Sequence, residues 1–99
     1  KYIIFEGQGA INKVPDLIAA LTIDLKPFII KAQYINNRRW DIITRENLRI
    51  KLPEIEYKKA ISIFNDIYND LYTSDITNIE YIDLRISQKA IIKFYNEQK

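Results

Sequence analysis

Between residues 32 and 52, polar and apolar side chains alternate with a period of two, and no other feature constrains the fold of this chain as strongly. This period places successive side chains on opposite faces of a β-strand. Turn residues interrupt it at Asn36-Asn37 and at Arg45-Glu46-Asn47, so the segment divides into three strands. We therefore expect a three-stranded β-meander with one apolar face and one basic face.

A long amphipathic helix is predicted after the meander. Pro53-Glu54 suits a helix start, because proline is tolerated in the first turn and an acidic group there interacts favourably with the helix dipole. Thr73-Ser74-Asp75 is expected to end the helix, which should lie across the sheet. Its apolar stripe recurs at three- and four-residue spacing and consists of Tyr57, Ala60, Ile61, Phe64, Ile67, Tyr68 and Leu71.

Two further regions complete the predicted secondary structure. Residues 2–5 form a short apolar run typical of a buried strand, and one or two short helices are expected after it, with Pro15 in a first helical turn. Alternation returns over residues 79–86, a turn follows at residues 87–89, and residues 90–95 form the last strand.

The last strand has one obvious neighbour, so its far edge is expected to be open. Unpaired N–H and C=O groups at such an edge allow another chain to add a strand, although a strand covered by the rest of a parent protein fits the sequence equally well. If Ile86 pairs with Ala90, the core-facing residues are Ala90, Ile92 and Phe94, and the outward ones are Ile91, Lys93 and Tyr95.

The order of these elements predicts an α+β fold. Hairpins rather than crossovers join the strands, which favours a largely antiparallel sheet with helices packed on it. No repeat or linker divides the chain, so residues 1–99 are expected to be a single domain with Asn96–Lys99 as a frayed tail. Because the chain opens on Lys1 and contains no methionine, we expect it to be one domain of a longer protein.

The composition argues against an enzyme. The chain contains no cysteine and no histidine, which excludes a disulfide scaffold, a thiol nucleophile and histidine acid–base chemistry, together with almost every zinc site. We expect no catalytic residue, no cofactor and no metal. Gly7-Gln8-Gly9 follows a strand and resembles the start of a dinucleotide fingerprint, but Asn12 stands where the third glycine belongs, so a turn is the better interpretation.

The middle of the chain is its basic part. Residues 31–59 carry eight Lys or Arg against four Asp or Glu, and Arg38-Arg39-Trp40 stands out among them. Such a face is most often only a solubilising surface, but it also suits an acidic protein partner or single-stranded nucleic acid. Trp40 shares its strand face with Ile42 and is therefore expected in the core rather than stacked on a base.

Three segments resemble the carboxy-terminal β domain of the FtsQ/DivIB family of bacterial cell-division proteins. They are RRWDI at residues 38–42, LRIKLPE at residues 48–54 and IEYIDLR at residues 79–85, in that order. EGQGA at residues 6–10 and VPDLI at residues 14–18 resemble the stretch with which that domain begins. The resemblance thus covers most of the chain.

This resemblance implies a non-catalytic component of the divisome, the assembly that builds the division septum. Members have one membrane span in the cell inner membrane, followed by a POTRA domain and this β domain on the periplasmic side. They bind FtsB, and with it FtsL, by adding an FtsB strand along the last strand of the sheet. Taken together with the edge-strand argument, the resemblance implies a partner-binding surface of Arg38, Arg39, Arg85, Ile86, Gln88, Ile91, Lys93, Phe94 and Tyr95.

Overall fold

The computed structural model describes residues 2–71 and 73–95, which form a six-stranded sheet with three helices. The order of the strands in the sheet is the order in the chain. The predicted tail Asn96–Lys99 lies outside the described residues. The strands are β1 Ile4–Glu6, β2 Ile29–Ile35, β3 Arg39–Thr44, β4 Arg49–Lys51, β5 Ile79–Asp83 and β6 Ile91–Phe94. The helices are α1 Ala10–Ala20, α2 Tyr57–Asp70 and α3 Thr73–Thr77, and a short 3-10 turn covers Lys26–Phe28.

The α+β class and the mostly antiparallel sheet are confirmed. Strands β2, β3 and β4 pair in antiparallel fashion as the predicted meander, and β5 pairs with β6 in the same way. Asn36 and Asn37 both have positive φ in the turn between β2 and β3, a conformation that asparagine tolerates better than most residues.

The prediction that hairpins replace crossovers is wrong at two places. Strands β1 and β2 pair in parallel, and so do β4 and β5. Parallel neighbours need a crossover connection, and α1 and α2 lie within these two connections. Alternation in a sequence shows which side chains share a face but not which way the neighbouring strand runs.

The core lies between one face of the sheet and the helices. A single row of directly opposite residues crosses all six strands on this face: Phe5, Ala32, Ile42, Ile50, Ile82 and Ile92. The four central residues of the row are buried, and they belong to the same cluster as the buried side chains of α1 and α2. Trp40 is also in this cluster, as predicted.

Helix α2 begins at Tyr57 rather than at the predicted Pro53-Glu54. Pro53 and Glu54 precede it, and Glu56 adopts a left-handed conformation (φ 59°) at the N-cap position. The helix ends at Asp70, and the segment expected only to terminate it forms the separate short helix α3. The buried side chains of this helix are Ala60, Ile61, Phe64 and Tyr68.

The beginning of the chain departs from prediction at Pro15. This residue lies inside α1, which starts at Ala10, rather than in a first helical turn. Gly7 and Gly9 confirm the predicted turn, since both have positive φ (116° and 82°). A Cβ atom at Gly7 would overlap the carbonyl oxygen of Tyr34, so glycine also permits the close approach of this turn to β2.

Candidate functional site

Strand β6 is the outermost strand of the described sheet on its side, and both of its faces are exposed. Ile92 lies opposite Ile82 on the helix-covered face, yet its side chain is 38% exposed, and that of Phe94 is 52% exposed. The prediction that Ala90, Ile92 and Phe94 enter the core is therefore wrong as to burial. The buried row of side chains ends at β5, and β6 extends beyond it.

The backbone groups of β6 divide between its neighbour and its free edge. Ile91 lies opposite Asp83 and Lys93 opposite Tyr81, which moves the hairpin pairing two residues away from the predicted Ile86–Ala90 pair. The N–H of Tyr95 donates to the carbonyl oxygen of Asn78 at 2.9 Å. The directions of the backbone N–H groups alternate along a strand. The N–H groups of Ile91 and Lys93 therefore also point to β5, whereas those of Ile92 and Phe94 point to the free edge.

A cavity of about 580 Å³ lies at the end of the sheet where β6 begins. It is bounded by the turn before β3, the loop before α2, the start of α2 and the hairpin turn between β5 and β6. We call it the arginine cavity. The predicted site residues that line it are Arg38, Arg39, Arg85, Ile86 and Gln88. The other predicted residues, Ile91, Lys93, Phe94 and Tyr95, lie along β6 and are not among its lining residues.

The two arginines before Trp40 differ in environment. The side chain of Arg38 is 66% exposed, and its Nε atom lies 3.4 Å from a carboxylate oxygen of Glu54. The side chain of Arg39 is mostly buried, and its guanidinium donates to Asp41. Arg38 is thus the more accessible of the pair, a distinction that the sequence alone left open.

Arg85 is held in place by Asp83. Its Nε and Nη2 atoms donate to the two carboxylate oxygens of Asp83 at 2.9 and 2.7 Å, and its backbone N–H donates to the same carboxylate at 3.0 Å. A bidentate pair of this kind fixes the plane of the guanidinium as well as its position. Arg85 is one of the residues that line the arginine cavity.

The Asp83–Arg85 ion pair should make the free energy of unfolding depend on pH in the acidic range. The hydrogen bonds from the Arg85 guanidinium lower the pKa of Asp83 below its ordinary value of 3.8. A lowered pKa stabilises the fold above the unfolded-state value, and this stabilisation is lost as pH falls through the folded-state value. We expect the difference in unfolding free energy between the wild type and Asp83→Asn to shrink as pH falls below about 4.

Urea unfolding at a series of pH values measures this difference. Asp66→Asn, at an exposed position of α2, changes the net charge equally and is the matched control. A difference between wild type and Asp83→Asn that stays constant from neutral pH to pH values well below the ordinary pKa would contradict the assignment.

The face of the sheet opposite the helices carries a polar network that the sequence did not predict. Asp41 is only 3% exposed and accepts hydrogen bonds from Arg39 and Arg49. Arg49 also donates to Gln33, whose amide donates to Glu6. The predicted basic face is therefore largely neutralised. An acidic residue flanked by arginines on its own and the neighbouring strand was the available signal.

Residues 2–71 and 73–95 contain neither a membrane-spanning helix nor a cluster of metal-binding side chains. No helix in these ranges is long and apolar enough to span a membrane. In the same ranges, no three metal-binding side chains come together as a potential ion site.

Comparisons with known proteins agree with the sequence motifs. A family described as Cell division protein FtsQ/DivIB, C-terminal, matches residues 2–85. The chain is similar to the cell division protein FtsQ of Dinoroseobacter shibae, with 32% identity over 91 residues, which cover 88% of this chain and 30% of that protein. It is also similar to FtsQ of Bartonella bacilliformis, with 30% identity over 95 residues that cover 92% of this chain and 30% of the relative.

A third relative, FtsQ of Paracoccus denitrificans, is 26% identical over 92 residues, which cover 91% of this chain and 27% of that protein. The chain therefore spans less than a third of the length of these relatives. The family match ends at Arg85, just before the hairpin turn that leads to β6. With the match covering most of its residues, the chain belongs to the FtsQ/DivIB C-terminal family.

Proposed function

We propose that this domain is a non-catalytic, partner-binding module of the bacterial divisome, and that it binds FtsB, and through it FtsL, by strand addition to β6. The parent protein is anchored in the cell inner membrane by one span and places this domain on the periplasmic side. Family membership supports the role in cell division. The exposed outer edge of β6 is the observation that carries the binding mode.

The chemistry of the edge supports an extended, partly apolar partner. The outward N–H groups of Ile92 and Phe94 can bond to the carbonyl groups of an added strand. Ile91, Ile92 and Phe94 are all substantially exposed, and an added strand would cover them. Backbone bonds then supply affinity and the side chains supply selectivity.

The arginine cavity supports a partner that carries a carboxylate next to its strand. Asp83 accepts bonds from two of the five N–H donors of the Arg85 guanidinium, so the side of Arg85 turned away from Asp83 is suited to a second carboxylate. Arg38 is exposed on the same cavity, and its contact with Glu54 is a solvent-exposed ion pair that contributes little. An acidic partner side chain can therefore replace Glu54 there at small cost.

A proline substitution tests strand addition. Ile92→Pro removes an N–H group that points to the free edge, and proline is tolerated at such edge positions, so the domain should still fold. We expect binding to the periplasmic segment of FtsB to weaken roughly 10- to 100-fold, since one ladder bond is lost and the ring obstructs the added strand. Isothermal titration measures the affinity.

Ile92→Ala is the matched control because it removes most of the same side chain but keeps the N–H group. Ile91→Pro is unsuitable, since the Ile91 N–H faces β5 and its loss would damage the sheet itself. Equal affinities for Ile92→Pro and Ile92→Ala would contradict strand addition, and no binding by the wild type would contradict FtsB as the partner.

The alternative is a single-stranded nucleic-acid-binding module. The ion pairs on the face of the sheet opposite the helices disfavour this alternative. The carboxylates of Asp41 and Asp83 already form ion pairs with Arg39, Arg49 and Arg85, which are then less available to phosphate groups. A gel-shift titration with a single-stranded oligonucleotide at low salt separates the two functions, since phosphate contacts are strongest there.

A further inference from the structure

We propose that β6 also pairs with β6 of a second copy of this chain, in an antiparallel register that places Ile92 opposite Ile92. The same edge would then join two sheets of six strands into one continuous sheet. This proposal goes beyond partner binding and is tested without any other protein. It rests on the direction of the backbone groups, on the charges along β6 and on the exposure of its side chains.

Backbone direction allows only some registers. The N–H groups of Ile92 and Phe94 point to the free edge, so hydrogen-bonded pairs must join even-numbered residues of both copies. The two-fold axis then passes midway between one residue and the same residue of the second copy, so that this residue lies opposite its own counterpart. The registers that centre on β6 therefore place Ile91, Ile92, Lys93 or Phe94 opposite itself.

Charge and length select one of these four registers. With Ile91 at the centre, Lys93 lies opposite Lys89, and with Lys93 at the centre it lies opposite itself; like charges directly opposite destabilise a sheet. With Phe94 at the centre, Ile91 and Ile92 have no partner within β6. With Ile92 at the centre, Ile91, Ile92 and Lys93 find partners within β6, Phe94 lies opposite Ala90, and no two lysines are opposite.

The selected register also matches the faces of the two sheets. Ile92 lies on the helix-covered face and extends the buried row that ends at Ile82. Ile92 of the second copy would continue this row into the core of that copy. Phe94 would lie opposite Ala90 of the second copy. On the opposite face Lys93 would lie beside Ile91 and could keep its 2.8 Å ion pair with Glu80.

Space at the edge permits this approach. All four residues of β6 are exposed, so a second sheet can come alongside on both faces. The strand carries one charge, Lys93, and in this register Lys93 lies opposite Ile91 of the second copy rather than opposite another lysine. Since the edge can hold one added strand at a time, self-pairing and the binding of a partner strand would exclude each other.

Disulfide trapping tests the register, because the chain has no cysteine of its own. In the proposed dimer Ile91 and Lys93 are opposite without a hydrogen bond between them, a geometry with Cα atoms about 4.5 Å apart that suits a disulfide. Ile91→Cys and Lys93→Cys are made as separate variants. After mild oxidation, we expect the mixture to give a linked dimer of the two different chains well above the amount of either linked to itself.

Two substitutions at Ile92 and the oligomeric state of the wild type provide the controls. Adding Ile92→Pro to both variants should abolish the excess of mixed dimer, whereas adding Ile92→Ala should retain most of it. Sedimentation velocity of the wild type should show a reversible, concentration-dependent dimer. A wild type that stays monomeric at every concentration, or a mixture without excess mixed dimer, overturns the proposal. Neither result bears on whether FtsB binds.

Discussion

Replacing Asp41 with asparagine is expected to lower the free energy of unfolding by about 2–4 kcal/mol, because two charge-assisted hydrogen bonds lose their anionic acceptor. Arg39 lies at 2.5 Å and Arg49 at 2.8 Å from different oxygens of this carboxylate. An asparagine offers one acceptor and turns an N–H₂ group toward the other arginine. Equilibrium unfolding in urea at neutral pH measures the loss.

Asp66→Asn provides the comparison for this prediction, because it removes one negative charge at an exposed position. Its effect should stay within about 0.5 kcal/mol, as is usual for surface substitutions. Equal losses for the two variants would show that the carboxylate of Asp41 contributes only its net charge. The arginines would then owe their positions to packing of their aliphatic parts.

Truncation of Phe64 to alanine should cost about 3–5 kcal/mol, the range for a large aromatic side chain removed from a core. Phe64 is 1% exposed, and its ring lies 5.4 Å from that of Tyr68 on the same helix. Its loss would leave a cavity between α2 and the sheet. Thermal unfolding followed by circular dichroism measures the effect.

The neighbouring residue supplies the control. Ile63 is 42% exposed on the same helix, so Ile63→Ala should cost far less than Phe64→Ala. Similar losses at both positions would contradict a core position for Phe64, because alanine is the better helix former in either place and only lost packing can lower the stability.

The alternation of polar and apolar residues predicted correctly which side chains share a face of the sheet. It did not predict which side chains contact and cover each other. Trp40 and Ile42 are buried together as the period of two required. Asp41, on the opposite face by the same rule, is buried as well, because long arginine side chains from two strands fold over it. Periodicity assigns a side but carries no information on how long side chains cover their neighbours.

The edge strand shows the same limit from another direction. The predicted pairing of Ile86 with Ala90 is off by two residues from the observed pairing of Asp83 with Ile91. A shift of two preserves the faces, so Ile92 was assigned to the correct side. Its exposure depends on how far the helices reach across the sheet, which is a property of tertiary packing. The direction of the Ile91 N–H group, too, is known only from the observed pairing of β6 with β5.

The candidate site was predicted in part. Arg38, Arg39, Arg85, Ile86 and Gln88 do surround one cavity, although they come from distant parts of the chain. The motifs that named them carried no information on their ion-pair partners. Which arginine is occupied and which is accessible became visible only with the positions of Asp41, Asp83 and Glu54.

The order of the strands has a practical consequence for binding measurements. Because β1 and β6 lie at opposite edges of a six-stranded sheet, five interstrand spacings separate them, or about 24 Å. A biosensor surface coupled through the amino-terminal side of the domain therefore leaves the β6 edge facing solution. Coupling through the carboxy-terminal side would attach the linker within a few residues of β6, next to the strand under test, and would lower the measured affinity for a reason unrelated to the partner.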